Sequence, residues 1–291
     1  MDIKMKGLLL LVTCVFSFGC NDRQDSSLAA SQVADQSAGV NETVLMTNAF
    51  MPLGRHPMEP LKASVAQTLS IRQIDSLIQM CRASTNPEQK IAIIWTLGLA
   101  GTSNATAELI AQVTNQYVGK WFTAGAIDGG SDEEQVFFIA VSALGFAGAH
   151  DDNAYAFLKR GLDADFWTRT ISWQSKRGDG THDLLTAMAI SAIGMTGRPD
   201  VPSILQDLKP RCEPSASLVL VPRRRNNAGS VTQAAFYNWV IQKYGAAHLR
   251  ENFFGEARDP LRQEWKESEE GKKWSAWYRM ANGLTNEGRV Q

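Results

Sequence analysis

The chain has 291 residues and a formal net charge of −1, with both signs interspersed along its length. That balance excludes the broad basic field that drives nucleic-acid binding. It contains no Cys-x-x-Cys, no His-Glu pair, no Gly-x-Ser-x-Gly and no phosphate loop, so the common catalytic signatures are absent.

Residues 1–19 read as an export signal: Lys4 and Lys6 precede an apolar run from Leu8 to Val12 that continues through Val15 and Phe16. The run is too short for a spanning helix, which needs about 20 apolar residues. Ser17-Phe18-Gly19-Cys20 resembles a bacterial lipobox, which implies that Cys20 is acylated and becomes the new N-terminus. Ser17 departs from that motif, which usually has Leu there. Cys14 is a poorer alternative, because Thr13 precedes it and the apolar core before it is short. Asn21 follows Cys20, and the aspartate associated with inner-membrane retention comes one place later, which favours the outer membrane facing the periplasm.

Residues 20–43 are rich in Ser, Ala, Gln, Asp and Gly and hold too little apolar surface to order themselves, as suits a tether. Residues 44–86 begin with a strap containing Phe50, Met51, Pro52, Pro57 and Pro60. Ser70 to Arg82 follows as an amphipathic helix through Ile71, Ile74, Leu77, Ile78 and Cys81, expected to cap a stack of helices.

From Pro87 the chain repeats itself. Val136, Ala140, Ala143, Leu144 and Ala147 recur at helical spacing, which predicts one continuous apolar stripe. Gly145 and Gly148 are expected to close that helix as left-handed caps, and Asp151 and Asp152 open a second helix bearing Ala154, Phe157 and Leu158 on one face. The same punctuation occurs as Thr96-Leu97-Gly98-Leu99-Ala100-Gly101, as Ala143-Leu144-Gly145-Phe146-Ala147-Gly148 and as Ala192-Ile193-Gly194-Met195-Thr196-Gly197. The first glycines stand 47 and 49 residues apart, close to the roughly 40–47 residues of two-helix repeats. Ser103 or Asn104 and Pro199 mark the other second-helix starts. All six glycines, Gly98, Gly101, Gly145, Gly148, Gly194 and Gly197, are read as structural caps.

This pattern, over roughly Pro87 to Phe254, resembles the HEAT-repeat family of α-solenoids. The resemblance implies an all-α stack of helical hairpins that serves most often as a protein-binding scaffold. A fourth hairpin spans Val231 to Phe254, with Ala234, Ala235, Tyr237, Trp239, Val240 and Ile241 on its first helix and Gly245 at the corner. The repeat domain is thus placed at 87–255, with a Trp-rich helical cap at 256–291. Trp274-x-x-Trp277-Tyr278 looks similar to a Trp-rich segment beside HEAT repeats in some bacterial envelope proteins, and its helical spacing predicts a Trp face turned inward.

Three long connections carry Trp121 and Phe122, then Phe166, Trp167 and Trp173, then Arg223, Arg224 and Arg225. In a solenoid, insertions at equivalent positions emerge along one edge. Trp121, Phe122, Trp167, Trp173 and Arg223 to Arg225 are therefore the expected contacts with a protein partner in the envelope. Cys81 and Cys212 sit two to three hairpins apart, which argues against a disulfide, whose Cα atoms must come within roughly 7 Å, unless the loop bearing Cys212 folds back. The competing reading is a metal-dependent hydrolase using His150 with Asp151 and His182 with Asp183, as His-Asp dipeptides on an all-α chain suggest. Both aspartates are explained by helix capping and dipole charge, so a non-enzymatic, cofactor-free scaffold is the expectation, read as a monomer.

Overall fold

The computed structural model describes residues 60–115, 126–176, 180–212, 227–254 and 258–284, all within the unit Leu45–Gln291. Cys20, His56, Trp121, Phe122 and Arg223 to Arg225 lie outside the described residues. Helix accounts for 77% of what is described, in 13 helices, so the fold is all-α. In order these are α1 (Ala63–Ala66), α2 (Ile71–Ala83), α3 (Pro87–Ala100), α4 (Ser103–Thr114), α5 (Asp132–Ala147), α6 (Asp152–Arg160) and α7 (Ala164–Thr170). Then follow α8 (Gly180–Met195), α9 (Val201–Cys212), α10 (Ala228–Tyr244), α11 (Ala246–Glu251), α12 (Arg258–Glu267) and α13 (Glu269–Ala281).

Local chemistry fixes many of the borders. Ser70 and Gln73 form a reciprocal capping box on α2. The Asn86 side chain accepts from the Glu88 and Gln89 amides, with Pro87 at the first helical position of α3. Asp151 caps α6 and Ser268 caps α13. The α4 cap is Thr102, whose hydroxyl accepts from the Ala105 amide, one residue earlier than Ser103 or Asn104. Pro199 sits in the turn before α9, which begins at Val201.

Helices α3, α5, α8 and α10 pack side by side in that order. Each intervening helix lies against the next member of the row, α4 on α5, α6 on α8 and α9 on α10. The row helices are apolar on more than one face, because they serve two cores. α3 gives Ile93, Ile94 and Leu97 to one cluster and Leu99 to the other, with Trp95 between them. The single stripe read from the sequence therefore understates their burial.

The glycines need correction. Gly98, Gly145 and Gly194 lie inside α3, α5 and α8, not at their ends. What they supply is close approach. A Cβ on Gly98 would stand 2.6 Å from the Ala143 carbonyl oxygen, one on Gly145 the same distance from that of Ala192, and one on Gly194 closer still to that of Ala234. Each row helix thus puts its glycine on the backbone of the next, and the residue met, Ala143 or Ala192, stands two places before the next glycine in the series. The series stops at Ala234, where Phe236 occupies the corresponding place. Only Gly101 and Gly197 are left-handed, at φ 62° and 63°, while Gly148 is right-handed at φ −63°.

The second long connection folds inward. α7 and the strand Gln174–Ser175 (β2) lie between α6 and α8, and β2 pairs in parallel with Ala126–Ile127 (β1) of the first connection. Trp167 and Trp173 are consequently core residues, 0% and 2% exposed, and form no open edge. Their indole N–H groups are satisfied by backbone carbonyls, Trp167 at Gly161 (2.9 Å) and Trp173 at Val113 (2.7 Å). The Trp173 ring stacks on Phe137 at 4.3 Å, and Trp167 packs on Phe157 and Phe166. Glu134 is buried beneath them, accepting from the Ser175 hydroxyl and the Gly130 amide, both at 2.6 Å. Trp274 and Trp277 are also turned inward, and Cys81 and Cys212 are both buried.

Gly98→Ala, Gly145→Ala and Gly194→Ala are each expected to cost about 1–3 kcal/mol by overpacking, and asparagine should be worse than alanine at all three. At Gly101, where the demand is conformational, asparagine should be the milder replacement. Urea midpoints at constant slope measure this; asparagine milder than alanine inside α3, α5 and α8 would refute the close-approach account.

Candidate functional site

Polar side chains from distant elements converge at the turn between α5 and α6. The Asp151 carboxylate accepts from the Asn153 and Ala154 amides at 2.8 and 3.0 Å, so it is engaged as the α6 cap. The neighbouring His150 receives a hydrogen bond at Nε2 from Arg250 Nη2, 2.8 Å away on α11. A guanidinium cannot accept a hydrogen bond, so that imidazole nitrogen is the unprotonated one and the ring is neutral. Arg250 is only 6% exposed and its Nη2 also points at the Phe146 carbonyl, 3.5 Å away. Burial lowers the affinity of Arg250 for its proton. Partial burial first, and then the charges of Arg250 and Arg198, hold the His150 pKa below the ordinary histidine value.

Arg198 comes from the turn before α9. Its Nε donates to the Gly148 carbonyl at 2.9 Å, its Nη2 pairs with Asp152 at 2.8 Å, and its guanidinium lies 5.2 Å from the Tyr155 ring centre. Tyr155 in turn donates to Asp200, which also takes Lys159 at 3.3 Å. Burial and the Asp200 hydrogen bond raise the Tyr155 phenol, and the same bond lowers the Asp200 carboxyl. Tyr155, Lys159, Arg198 and Asp200 form a ridge across two successive turns. Its Lys159–Asp200 pair is nearly half exposed on each side and contributes about 0–1 kcal/mol, so the ridge is a surface more than a strut.

A second polar group lies inside. Lys90 on α3 is fully buried and donates to the Cys81 carbonyl, close to Glu108 on α4. Glu108 accepts from Arg82 at 2.7 and 3.0 Å and from Gln112 at 2.7 Å. Burial pushes the Cys81 thiol up to about 12, which leaves it inert as a nucleophile. This group ties α2, α3 and α4 together, with Lys90 and Glu108 buried and Arg82 reaching the surface.

The structure distributes the expected site residues unevenly. His150 belongs to the Arg250 contact, and His182 Nδ1 stands 3.5 Å from the Thr168 hydroxyl with Asp183 in the first turn of α8. The two His-Asp pairs therefore have separate structural surroundings. Among the described residues, no three or more His, Cys, Asp or Glu side chains gather as metal ligands. Sequence reasoning missed Arg250, Arg198 and Tyr155; the only available signal was that Arg198 directly follows the third Gly-x-x-Gly. Comparison with models of known protein families, with characterised proteins and with solved structures finds no match for this chain.

Two outcomes follow from this geometry. Because the folded state holds the His150 pKa below its unfolded value, the unfolded chain takes up the proton first. The stability associated with His150 is complete above its unfolded pKa of about 6.5 and is lost as the pH falls from there through the lower folded value. The melting temperature should therefore fall more steeply between about pH 7.5 and 5 in the wild type than in His150→Gln. Equal slopes would show that the contact carries no linkage. Trp173→Ala should cost about 3–5 kcal/mol in urea unfolding, as a core tryptophan does.

Proposed function

We propose that the protein is a lipid-anchored scaffold of the bacterial cell envelope. In this reading a stack of about four HEAT-like hairpins is tethered through acylated Cys20, faces the periplasm from the outer membrane, and holds a protein partner without catalysis of its own. The observation that carries it is the recurring close contact of Gly98 on Ala143, Gly145 on Ala192 and Gly194 on Ala234. A unit that repeats its sequence signature together with its packing contact is what stacked two-helix repeats require. Resemblance to the HEAT family then argues for binding as the role.

The partner would meet Trp121, Phe122 and Arg223 to Arg225 on the connections, together with Tyr155 and Arg198 of the ridge. Tryptophan, tyrosine and arginine dominate binding hot spots because they combine large contact area with directed polar contacts. Trp167 and Trp173 are left out, since their rings and N–H groups are already occupied within the core.

Photo-crosslinking in intact cells tests the binding role. A photoreactive residue at Trp121, Tyr155 or Arg224 of the full chain should give one discrete heavier species, and none should form from Ile71, 71% exposed on α2. No species from any of the three, with the protein folded and at normal abundance, would remove the scaffold reading. Cys20→Ser should release the chain from membranes, since anchoring contributes about 0.8 kcal/mol per buried CH₂. Retention of the mutant, with no acyl mass on the wild type, would remove the anchor.

A further inference from the structure

The two C-terminal helices enclose a groove that the proposed scaffold role does not use. α12 and α13 cross so tightly that Gly271 rests against the Trp265 carbonyl, with no room for a side chain. Beyond the crossing, the helices diverge around an open cavity of about 510 Å³. Lys266 stands on one wall, Lys272, Ser275 and Arg279 on the other, and Met280 and Leu284 at the apolar end; among the described residues no carboxylate lines it. Lys272 pairs with Glu269 at 2.9 Å. Neither Lys266 nor Arg279 has a carboxylate partner among the described residues. Met280 is 55% exposed, an unusual position for a large apolar side chain in this protein.

The wall behind the groove is fixed. Trp274 and Trp277 are buried on the opposite side of α13, and the Lys209 ammonium lies 4.0 Å from the Trp274 ring centre. The lining is thus cationic on both walls and apolar at one end.

Charge complementarity requires an anionic occupant, and size narrows it further. The cavity falls in the roughly 300–1,000 Å³ range of small-ligand sites. A protein partner would need on the order of 20–30 residues a side, far more than this groove presents. A free phosphate would satisfy the cations but leave Met280 in water. The geometry points to the phosphate headgroup of an anionic phospholipid, held by Lys266, Lys272 and Arg279 with Met280 and Leu284 against its glycerol and first acyl carbons. The C-terminal helices would then rest on the membrane surface independently of any lipid on Cys20.

Vesicle co-sedimentation of the full chain carrying Cys20→Ser tests this, and the leader it retains is common to every variant compared. Vesicles of equal parts phosphatidylglycerol and phosphatidylcholine should retain the protein, and phosphatidylcholine alone should not. Each cation near an anionic surface is worth about fivefold in affinity, so Lys266→Gln/Arg279→Gln should bind roughly 30-fold more weakly. Lys266 and Arg279 are exposed, and helical circular dichroism should be unchanged. Lys62→Gln/Arg72→Gln, equal in charge but placed just before α1 and in α2, outside the groove lining, should lose less than one groove cation does. Equal binding to both vesicle types, or equal losses in the two double variants, overturns the proposal. So does groove-dependent binding of soluble glycerol phosphate or of a polyglutamate peptide in the absence of vesicle binding.

Discussion

The backbone of one helix touching the backbone of the next, through a glycine that leaves no space for a Cβ, is the contact on which the fold turns. Gly98, Gly145 and Gly194 let α3, α5, α8 and α10 approach more closely than side chains would permit. The row helices can then be apolar nearly all round, because their neighbours, the intervening helices and α1 and α11 cover them on different sides. Where the series ends, other elements take its place. Thr96, two places before the first glycine, receives a hydrogen bond from the Leu61 amide of the N-terminal segment. Phe236, where a fourth glycine would fall, packs on Trp265 of α12 at 5.6 Å. The row is thus bounded at each end by a segment outside the repeating pattern.

Much of this was legible in the sequence. The all-α class followed from apolar spacing and from capping residues such as Ser70, Pro87 and Asp151, whose effects are local. The inward Trp face of α13 followed from its helical spacing. The glycines were located correctly and assigned the wrong role at three positions. A capping glycine and a packing glycine look alike in a sequence, because the partner that distinguishes them is some 40 residues away. Trp167 and Trp173 were misplaced for a related reason. Whether a long connection stands out or folds back depends on acceptors such as the Val113 carbonyl, 60 residues from the tryptophan that uses it. Arg250 and His150, 100 residues apart, left no local trace at all. Cys20 and the connections bearing Trp121 and Arg223 to Arg225 were read from motif and composition alone.

Polar groups in this protein serve mainly as fasteners between elements distant in sequence. Glu134 holds both of its neighbouring connections from beneath, so a change of length in either would disturb the other. Lys90 fastens α3 to α2 at the Cys81 carbonyl, and the buried Glu108 carboxylate fastens α4 to α2 at Arg82. Removing one partner of such a buried set leaves an uncompensated charge and typically costs about 3–5 kcal/mol, whereas the assembled set contributes little beyond an apolar equivalent. These groups specify register more than they add stability.

The contact between the N-terminal segment and the last helix pair has a further consequence. The Ser64 amide donates to Glu251 at 2.7 Å, and Trp95 of the first pair packs on Phe253 and Phe254 just beyond the last, with ring centres 5.3 and 5.2 Å apart. Arrays whose units touch only their neighbours lose their terminal units first, since an end unit has one interface where an interior unit has two. Here the first and last pairs share an aromatic interface, so neither can peel away without exposing the rings of the other. That shared interface couples the opening of the first pair to that of the last.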